Sequence, residues 1–180
     1  MFLKFGRIAI LASLVAICAL AAACGGKSYK YPGMELAPDP TDPGSMAVYP
    51  QEKGKASLTG KTVVFNPGGS EVPDYVFGGV SEESGAVVSD NNVTVNGGEI
   101  GQHAYGGYAQ EGKALNNTLT VNDGKMLSAF AGGSRLDSSG NTLYVKGGQL
   151  RVDRDGDSVF GGYAWGGVAN NNKLFVSGGD

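Results

Sequence analysis

Cysteine, histidine and tryptophan are almost absent from this sequence, and their scarcity limits the chemistry that the chain can perform. The 180 residues include two cysteines, one histidine and one tryptophan. Cys18 and Cys24 lie in or at the end of the first apolar segment, so the folded part has no disulfide and no thiol chemistry. His103 has no Gly-X-Ser-X-Gly motif to accompany it, and we interpret it as a surface or corner residue. We therefore expect a protein that is not an enzyme, with no catalytic residues and no cofactor.

Charge is also scarce, and positive charge in particular. Charged residues make up 17% of the chain, which excludes a coiled coil, and no Gly-X-Y period accompanies the 31 glycines, which excludes collagen. The formal charge is −3, and removal of Lys4 and Arg7 with a signal peptide would lower it to −5. Because no basic face is available, nucleic acid is excluded as a partner.

The N-terminus has the three parts of an export signal. Lys4 and Arg7 precede a charge-free run over residues 8–26, and small residues at its end lead directly to Cys24. This ending resembles the bacterial lipoprotein box, which implies a signal peptide over residues 1–23 and lipidation of Cys24 with acyl chains such as palmitate. Such chains would anchor the protein to a membrane, and Gly25 in the next position favours the outer membrane or cell surface. Cleaved secretion after Ala23 and an uncleaved membrane anchor are the alternatives.

A proline-rich segment follows the cysteine. Residues 27–58 contain five prolines and no apolar period. Proline fixes φ and removes a hydrogen-bond donor, so this composition predicts a flexible, extended tether. We accordingly expect a lipidated, disordered segment over residues 24–58 and a repeat domain over residues 59–180.

One sequence pattern recurs through the repeat domain: an aromatic residue with Gly-Gly, a polar loop, Asn with an alternating strand, and a second Gly pair. The aromatic parts lie at 76–79, 104–107, 130–133 and 159–162, and the strands at 91–98, 116–124, 140–148 and 171–179. Residues 62–69 form an imperfect earlier copy. The turn glycines recur at intervals of 29, 26, 24 and 31 residues, which is typical of repeat architectures.

Alternation within each strand predicts the fold. One face carries aliphatic residues in every copy: Val93, Val95, Leu119, Val121, Leu143, Val145, Leu174 and Val176. Stacked in parallel about 4.8 Å apart, these residues would build a continuous interior. We predict an all-β protein, a parallel β-solenoid (β-helix) of about four irregular coils with at least two strands per coil.

Glycine and asparagine have structural roles in this prediction. The glycines would supply positive φ at the corners. Asn92, Asn117, Asn141 and Asn172 stand just before the strands, where Asn tolerates the left-handed region and stacked amides can hydrogen-bond from coil to coil.

These repeats resemble the degenerate β-solenoid repeats of autotransporter passenger domains, which are adhesin-like surface proteins of Gram-negative bacteria. The resemblance covers about residues 62–180 and implies a right-handed solenoid displayed at the cell surface. Three features depart from it. No C-terminal translocator barrel is present, a lipobox is unusual in such passengers, and the third copy has Ala131 in the aromatic position with Phe130 one place early. Because the chain stops at Asp180 within a coil, we expect either a fragment of a longer reading frame or coverage of this edge by another chain.

Few residues are candidates for a site. Asp153, Asp155 and Asp157 have the spacing that Ca²⁺ favours, although the loop only partly matches an EF-hand; the alternative is a solvated turn. Trp165 could stack on a sugar ring or could simply fill its loop. The loops at 80–90, 108–115, 134–140 and 163–170 would line one edge and form the working surface.

The sequence supports three functional hypotheses. The first is a non-catalytic, adhesin-like or structural solenoid that binds a cell-surface glycan or protein. The second is a polysaccharide-active enzyme that uses acids scattered through the repeats, and their convergence cannot be read from sequence. These acids are Glu82, Glu83, Asp90, Glu99, Glu111, Asp123 and Asp137. The third is a secreted subunit that associates end to end with further copies.

Overall fold

The chain folds entirely into strands and turns over the residues that the structure describes. The computed structural model describes residues 34–50, 55–66, 72–151 and 157–180, and none of them is helical. Accordingly, no described segment is a helix with the length and apolar character needed to span a membrane. Within these ranges, eighteen strands form three sheets, which we call A, B and C.

The bounds of the strands follow the three sheets. Sheet A contains β1 (Met34–Pro38), β2 (Met46–Pro50), β5 (Tyr75–Phe77), β6 (Val80–Ser81), β9 (His103–Ala109), β12 (Ser128–Ser134), β16 (Val159–Phe160) and β17 (Tyr163–Ala164). Sheet B contains β3 (Ser57–Thr59), β7 (Val87–Ser89), β10 (Lys113–Leu115) and β13 (Asp137–Ser139). Sheet C contains β4 (Thr62–Phe65), β8 (Asn92–Glu99), β11 (Thr118–Met126), β14 (Thr142–Val145), β15 (Gln149–Leu150) and β18 (Lys173–Val176).

Each coil visits the three sheets in turn, which makes the molecule a three-sided parallel β-solenoid of about four coils. The chain runs from β9 in sheet A to β10 in sheet B and β11 in sheet C, and then enters the next coil at β12. All pairings between coils are parallel. The predicted all-β solenoid is confirmed, and each coil has three sides.

The interior is filled by the predicted aliphatic face of sheet C. Register places Leu119 beside Val93 and Leu143, and Val121 beside Val95 and Val145. All six side chains are buried in one cluster with residues from sheet A such as Val76 and Ala104. Leu174 and Val176 lie on β18, the outermost described strand of sheet C, and are exposed. Stacking of coils therefore buries an apolar column that no single coil could bury.

The left-handed corner residue before sheet C lies one position before the predicted asparagine in three copies and two positions before Asn92 in the first copy. The left-handed residues are Asp90, Asn116, Gly140 and Asn171, with φ of 56°, 55°, 71° and 55°. Each precedes the asparagine whose side chain turns inward. Asp, Asn and Gly tolerate this region, so the position is chemically consistent from coil to coil.

Asn91, Asn117, Asn141 and Asn172 form the ladder, so Asn92 was the wrong choice in the first copy. Asn92 is exposed and pairs with Thr118 on the strand. Asn117 Nδ2 donates to Asn141 Oδ1 at 3.1 Å, and Asn91 Nδ2 donates to Asn117 Oδ1 at 2.9 Å. The predicted bonding from coil to coil is confirmed for Asn117, Asn141 and Asn172.

The glycines that follow the aromatic residue of each repeat do not have positive φ. They are needed because neighbouring groups lie where a Cβ would be. A Cβ at Gly107 would lie 2.7 Å from Cγ of Asn117, which occupies that space. The register of β12 with β9 also corrects the predicted alignment of the third copy, because Phe130 lies opposite Tyr105 and Gly132 opposite Gly107. Phe130 therefore occupies the aromatic position, and Ala131 replaces the first glycine.

Residues 34–50, predicted as part of a flexible tether, form a hairpin that extends sheet A. β1 pairs antiparallel with β2, and β2 pairs in parallel with β5. Ala47, Val48 and Tyr49 are fully buried. The prolines sit at strand ends and in the turn, where a missing donor costs little. This hairpin covers the N-terminal edge of sheet A.

Candidate functional site

The outer face of sheet A carries a continuous set of aromatic rings. Small residues such as Ala104, Ala129 and Ala131 point into the core, so the alternating residues Tyr105 and Phe130 point outward. We call the following residues the aromatic surface: Tyr105, Tyr108, Phe130, Phe160, Tyr163 and Trp165. Its position follows from strand alternation and from the coil register.

One row of rings runs from coil to coil along the solenoid axis. Tyr105 stacks on Phe77 at 5.3 Å between ring centroids and on Phe130 at 4.9 Å, with interplanar angles of 15° and 12°. Phe130 in turn stacks on Phe160 at 5.9 Å. Ring separations of this size are the consequence of strand spacing in a parallel sheet, and such contacts stabilise the stack of coils.

A second row lies beside the first and is interrupted by a glycine. Gly133 stands between Tyr108 and Tyr163 in the sheet register. A Cβ there would lie 3.0 Å from Tyr105 Cε1 and Tyr108 Cδ2, so the two rings would have to move slightly to admit a side chain. Trp165 reaches across and stacks on Tyr108 at 5.8 Å and 27°.

The exposed fraction of the rings rises towards β16 and β17, which lie at an edge of the described part of sheet A. Phe77 and Phe130 are 1% and 7% exposed, whereas Phe160, Tyr163 and Trp165 are 40%, 44% and 42% exposed. Contiguous apolar area of this kind marks binding surfaces on soluble proteins. The exposed end of the aromatic surface is therefore the strongest candidate contact region among the described residues.

An ion pair lies next to these rings. Arg135 Nη1 donates to Glu111 Oε2 at 2.6 Å, and both side chains are largely exposed. Trp165 N donates to the carbonyl of Ser134, and Arg135 lies against the neighbouring Gly166. The pair presents hydrogen-bond donors and acceptors at the border of an apolar surface.

Burial and nearby acidic groups raise the pKa of two tyrosines, Tyr108 on the aromatic surface and Tyr75 on the neighbouring strand β5. Burial raises the pKa of Tyr108 to about 12, with contributions from the negative charges of Asp39 and Glu111. Burial likewise raises the pKa of Tyr75, and Asp42, Asp39 and Asp74 add to it. Both hydroxyls remain neutral donors at physiological pH.

His103 begins β9 directly after the bend at residues 101–102 and lies, partly exposed, on the same outer face of sheet A as Tyr105, which agrees with the expected surface or corner position. Its ring centroid is 5.5 Å from that of Tyr75, 6.1 Å from Tyr105 and 5.9 Å from Phe130. Burial lowers the pKa of His103, and the charge of Asp157 partly opposes this. Nδ1 is buried without a hydrogen-bond partner among the described residues. These contacts place the imidazole in a packing role.

A polar groove of about 670 Å³ follows the corner between sheets C and A. Its walls include Glu99, Asp123, Lys125 and Asp180, with a column of glycines between them. Of the scattered acids, Glu99 and Asp123 are thus brought together here, whereas Glu111 lies beside the aromatic surface.

Comparison with known proteins gives no relative. No family model, no curated protein and no solved structure matches this chain significantly.

Most of the site residues predicted from sequence fall outside the described part of the chain. Cys24, Asp153 and Asp155 lie there, and Asp157 is the described member of the calcium candidate. Among the described residues, no three His, Cys, Asp or Glu side chains form a group that could hold a metal ion.

The four loops that were predicted to form the working surface contain strands, and three of them also contribute residues to the candidate site. β7, β10 and β13 lie in three of them and belong with β3 to sheet B. The loop at 108–115 supplies Tyr108 and Glu111, the loop at 134–140 supplies Arg135, and the fourth loop supplies Tyr163 and Trp165. Of these residues, the sequence singles out Trp165 and, among the scattered acids, Glu111. The signal for Tyr108 and Tyr163 is a tyrosine directly after the Gly-Gly pair of two repeats, and the sequence analysis does not use it.

Proposed function

We propose that this protein is a non-catalytic, adhesin-like β-solenoid displayed at the cell surface, and that the aromatic surface is its contact face. The observation that carries the proposal is the cluster of three exposed rings, Phe160, Tyr163 and Trp165, beside the exposed Arg135–Glu111 pair. The lipobox-like Cys24 and the resemblance of the repeats to passenger domains support display at the outer membrane. The partner is then a cell-surface glycan or protein.

Rigidity supports this role. The coils share one buried core cluster, and the asparagine ladder ties neighbouring coils through buried amides. A surface built on strands holds its rings at fixed spacing, which favours recognition because little side-chain freedom is lost on binding.

Retention on cells tests the proposal. Beads that carry the full chain should adhere to intact cells or insoluble cell-wall material, and Trp165→Ala should release them. Phe175→Ala is the matched control, because Phe175 is 48% exposed and stacks on Tyr144 on the outer face of sheet C. Equal retention of the two variants would assign adhesion to another surface.

A polysaccharide-active enzyme is the second candidate, and the groove with Glu99, Asp123 and Asp180 is the observation in its favour. Paired acids are the groups that glycoside hydrolysis uses. Release of reducing sugar from polysaccharide, abolished by Glu99→Gln or Asp123→Asn, would establish this activity and overturn the non-catalytic proposal.

A further inference from the structure

The loop between β1 and β2 contains two Asp–Pro peptide bonds, Asp39–Pro40 and Asp42–Pro43. Asp–Pro bonds break more readily in acid than other peptide bonds. The aspartate carboxyl group can attack its own carbonyl carbon through a five-membered ring, and the proline nitrogen, which belongs to a tertiary amide, accepts a proton easily. Groups that are held in position react faster than groups that move freely. The surroundings of the two bonds therefore decide which of them breaks first.

The Asp42–Pro43 bond lies in an exposed turn over residues 42–45. The backbone N–H of Ser45 donates to the carbonyl oxygen of Asp42 at 2.9 Å, which stabilises the negative charge that attack places on this oxygen. The hydroxyl of Ser45 donates to Oδ2 of Asp42 at 2.7 Å, so the carboxyl group is held by one oxygen and Oδ1 is the attacking atom. Pro43 is exposed, and acid from solvent can reach its nitrogen.

The Asp39–Pro40 bond has the same chemistry in different surroundings. Asp39 is 1% exposed, and its Oδ1 accepts hydrogen bonds from the backbone N–H and the hydroxyl of Thr41 at 2.8 and 2.9 Å. Rotation of this carboxyl group onto its own carbonyl carbon would break both bonds. Burial also raises the pKa of Asp39, although the hydrogen bonds from Thr41 oppose this, so the group stays protonated and less nucleophilic in mild acid. This bond should resist cleavage in the folded chain.

We propose that the Asp42–Pro43 bond is an acid-activated self-cleavage site, at which Asp42 is the nucleophile and Ser45 positions it. A bond forms between Oδ1 and the carbonyl carbon of Asp42, and the bond from that carbon to the nitrogen of Pro43 breaks. The nitrogen leaves with a proton taken from solvent. Water then hydrolyses the cyclic anhydride and restores the aspartate, which now has a free α-carboxyl group. One water molecule is consumed, and the products are residues 1–42 and 43–180.

The position of the bond gives its cleavage a consequence. In the part of the chain that the structure describes, the first product is held to the second by the pairing of β1 with β2 at the edge of sheet A. Titratable groups near the turn include Asp39, Asp74 and Tyr75, none of which carries positive charge, so protons are attracted to it. If Cys24 holds the lipid anchor, acid would release the solenoid from the membrane. This consequence rests on the proposed function, whereas the cleavage itself does not.

Mass spectrometry of the full chain, kept in detergent at about pH 4, tests the proposal. We expect products that end at Asp42 and begin at Pro43, formed at least about tenfold faster than cleavage of the Asp39–Pro40 bond. In concentrated urea at the same pH the two bonds should break at similar, slower rates, because the contacts that distinguish them are lost. Circular dichroism at this pH confirms that the chain without urea is folded.

Three variants separate the chemistry from the shape of the turn. Asp42→Glu keeps the carboxylate but lengthens the ring from five atoms to six, so cleavage at this position should be lost. Ser45→Ala keeps the backbone N–H and removes the hydroxyl that positions Asp42, so cleavage should slow at least about threefold. Thr41→Ala is the matched control in the same loop and should leave the rate at the Asp42–Pro43 bond unchanged.

Several results would overturn the proposal. They are absence of cleavage at pH 4, equal rates at the two Asp–Pro bonds of the folded chain, an equal rate at the Asp42–Pro43 bond with and without urea, and undiminished cleavage of the Asp42→Glu variant. The bead assay is performed at neutral pH and depends on Trp165. Failure of the proposed function and failure of self-cleavage are therefore seen in separate measurements.

Discussion

The side-chain amide of Asn117 lies where a side chain at Gly107 would be, inside the solenoid. Substitution of the two residues tests whether the asparagine ladder and the glycines of the repeat stabilise the fold together. Asn117 is fully buried. Its Oδ1 accepts from the backbone N–H of Asn91 at 3.1 Å, and its Nδ2 donates to the carbonyl of Val88 at 3.0 Å. Asn117→Ala removes these bonds and leaves buried polar groups without partners. At about 1–3 kcal/mol for each group, the free energy of unfolding should fall by about 2–6 kcal/mol.

Gly107→Ala introduces a methyl group where the Asn117 amide lies, because a Cβ there would be 2.7 Å from Asn117 Cγ. Overpacking of this kind costs about 1–3 kcal/mol. In the double variant the new methyl occupies the volume that Asn117→Ala vacates. The combined loss should therefore be smaller than the sum of the single losses by at least about 1 kcal/mol.

Urea unfolding followed by the fluorescence of Trp165, the single tryptophan, measures all four members of this cycle. Asn122→Ala is the matched control, since Asn122 lies in the same coil and its exposed amide donates to Asn96 Oδ1. We expect a change within about 0.5 kcal/mol for this variant. Additive single losses, or equal losses for Asn117→Ala and Asn122→Ala, would refute the reasoning.

Three further predictions concern other parts of the molecule. Because burial lowers the pKa of His103, its contribution to stability is present above the unfolded pKa near 6.5 and is lost as the pH falls through the folded value; the thermal midpoint of His103→Phe should therefore fall less between pH 7 and 5 than that of the unaltered chain, and equal falls would contradict this. Gly133→Ala should lower the thermal midpoint less than Gly107→Ala, because its Cβ would lie 3.0 Å from two tyrosine rings whereas that of Gly107 would lie 2.7 Å from the buried Asn117 amide, and an equal or larger loss would show that the rings cannot move aside. Mass spectrometry of the mature protein should find acyl chains on an N-terminal Cys24 and none after Cys24→Ser, whereas a free thiol there would reject the lipid anchor.

The strands of sheet C were predictable because their interior is set by local alternation. Val93 and Val95 stand two residues apart, as do Leu119 and Val121. When one face of a strand is buried, this spacing identifies the residues that point inward. Local alternation does not decide which residue points inward at the corner before the strand. Asn91 and Asn92 are identical residues in adjacent positions, and only the register with Thr118 decides that Asn92 belongs to the strand. A shift of one residue moves a side chain from the interior to solvent.

The hairpin and the aromatic surface escaped sequence reasoning for different reasons. Proline content over residues 27–58 concealed the short apolar run Ala47 to Tyr49, which is stable as a strand because it pairs with β5. Rings that stack between neighbouring coils are far apart in sequence: Tyr105 and Phe130 are separated by 25 residues, and Phe130 and Phe160 by 30. Their proximity is a consequence of the coil length and the three-sided path, and neither could be read from a single repeat.

Trp165 provides the most direct measurement of the central claim that the aromatic surface is the contact face. It is the single tryptophan, it is 42% exposed, and its ring stacks on Tyr108. On addition of saturating solubilised cell-surface material, the emission of Trp165 should shift to shorter wavelength and its quenching by acrylamide should decrease, because the partner covers the exposed part of the indole. Binding of this material to the full chain with unchanged emission and unchanged quenching would place the partner elsewhere and contradict the account.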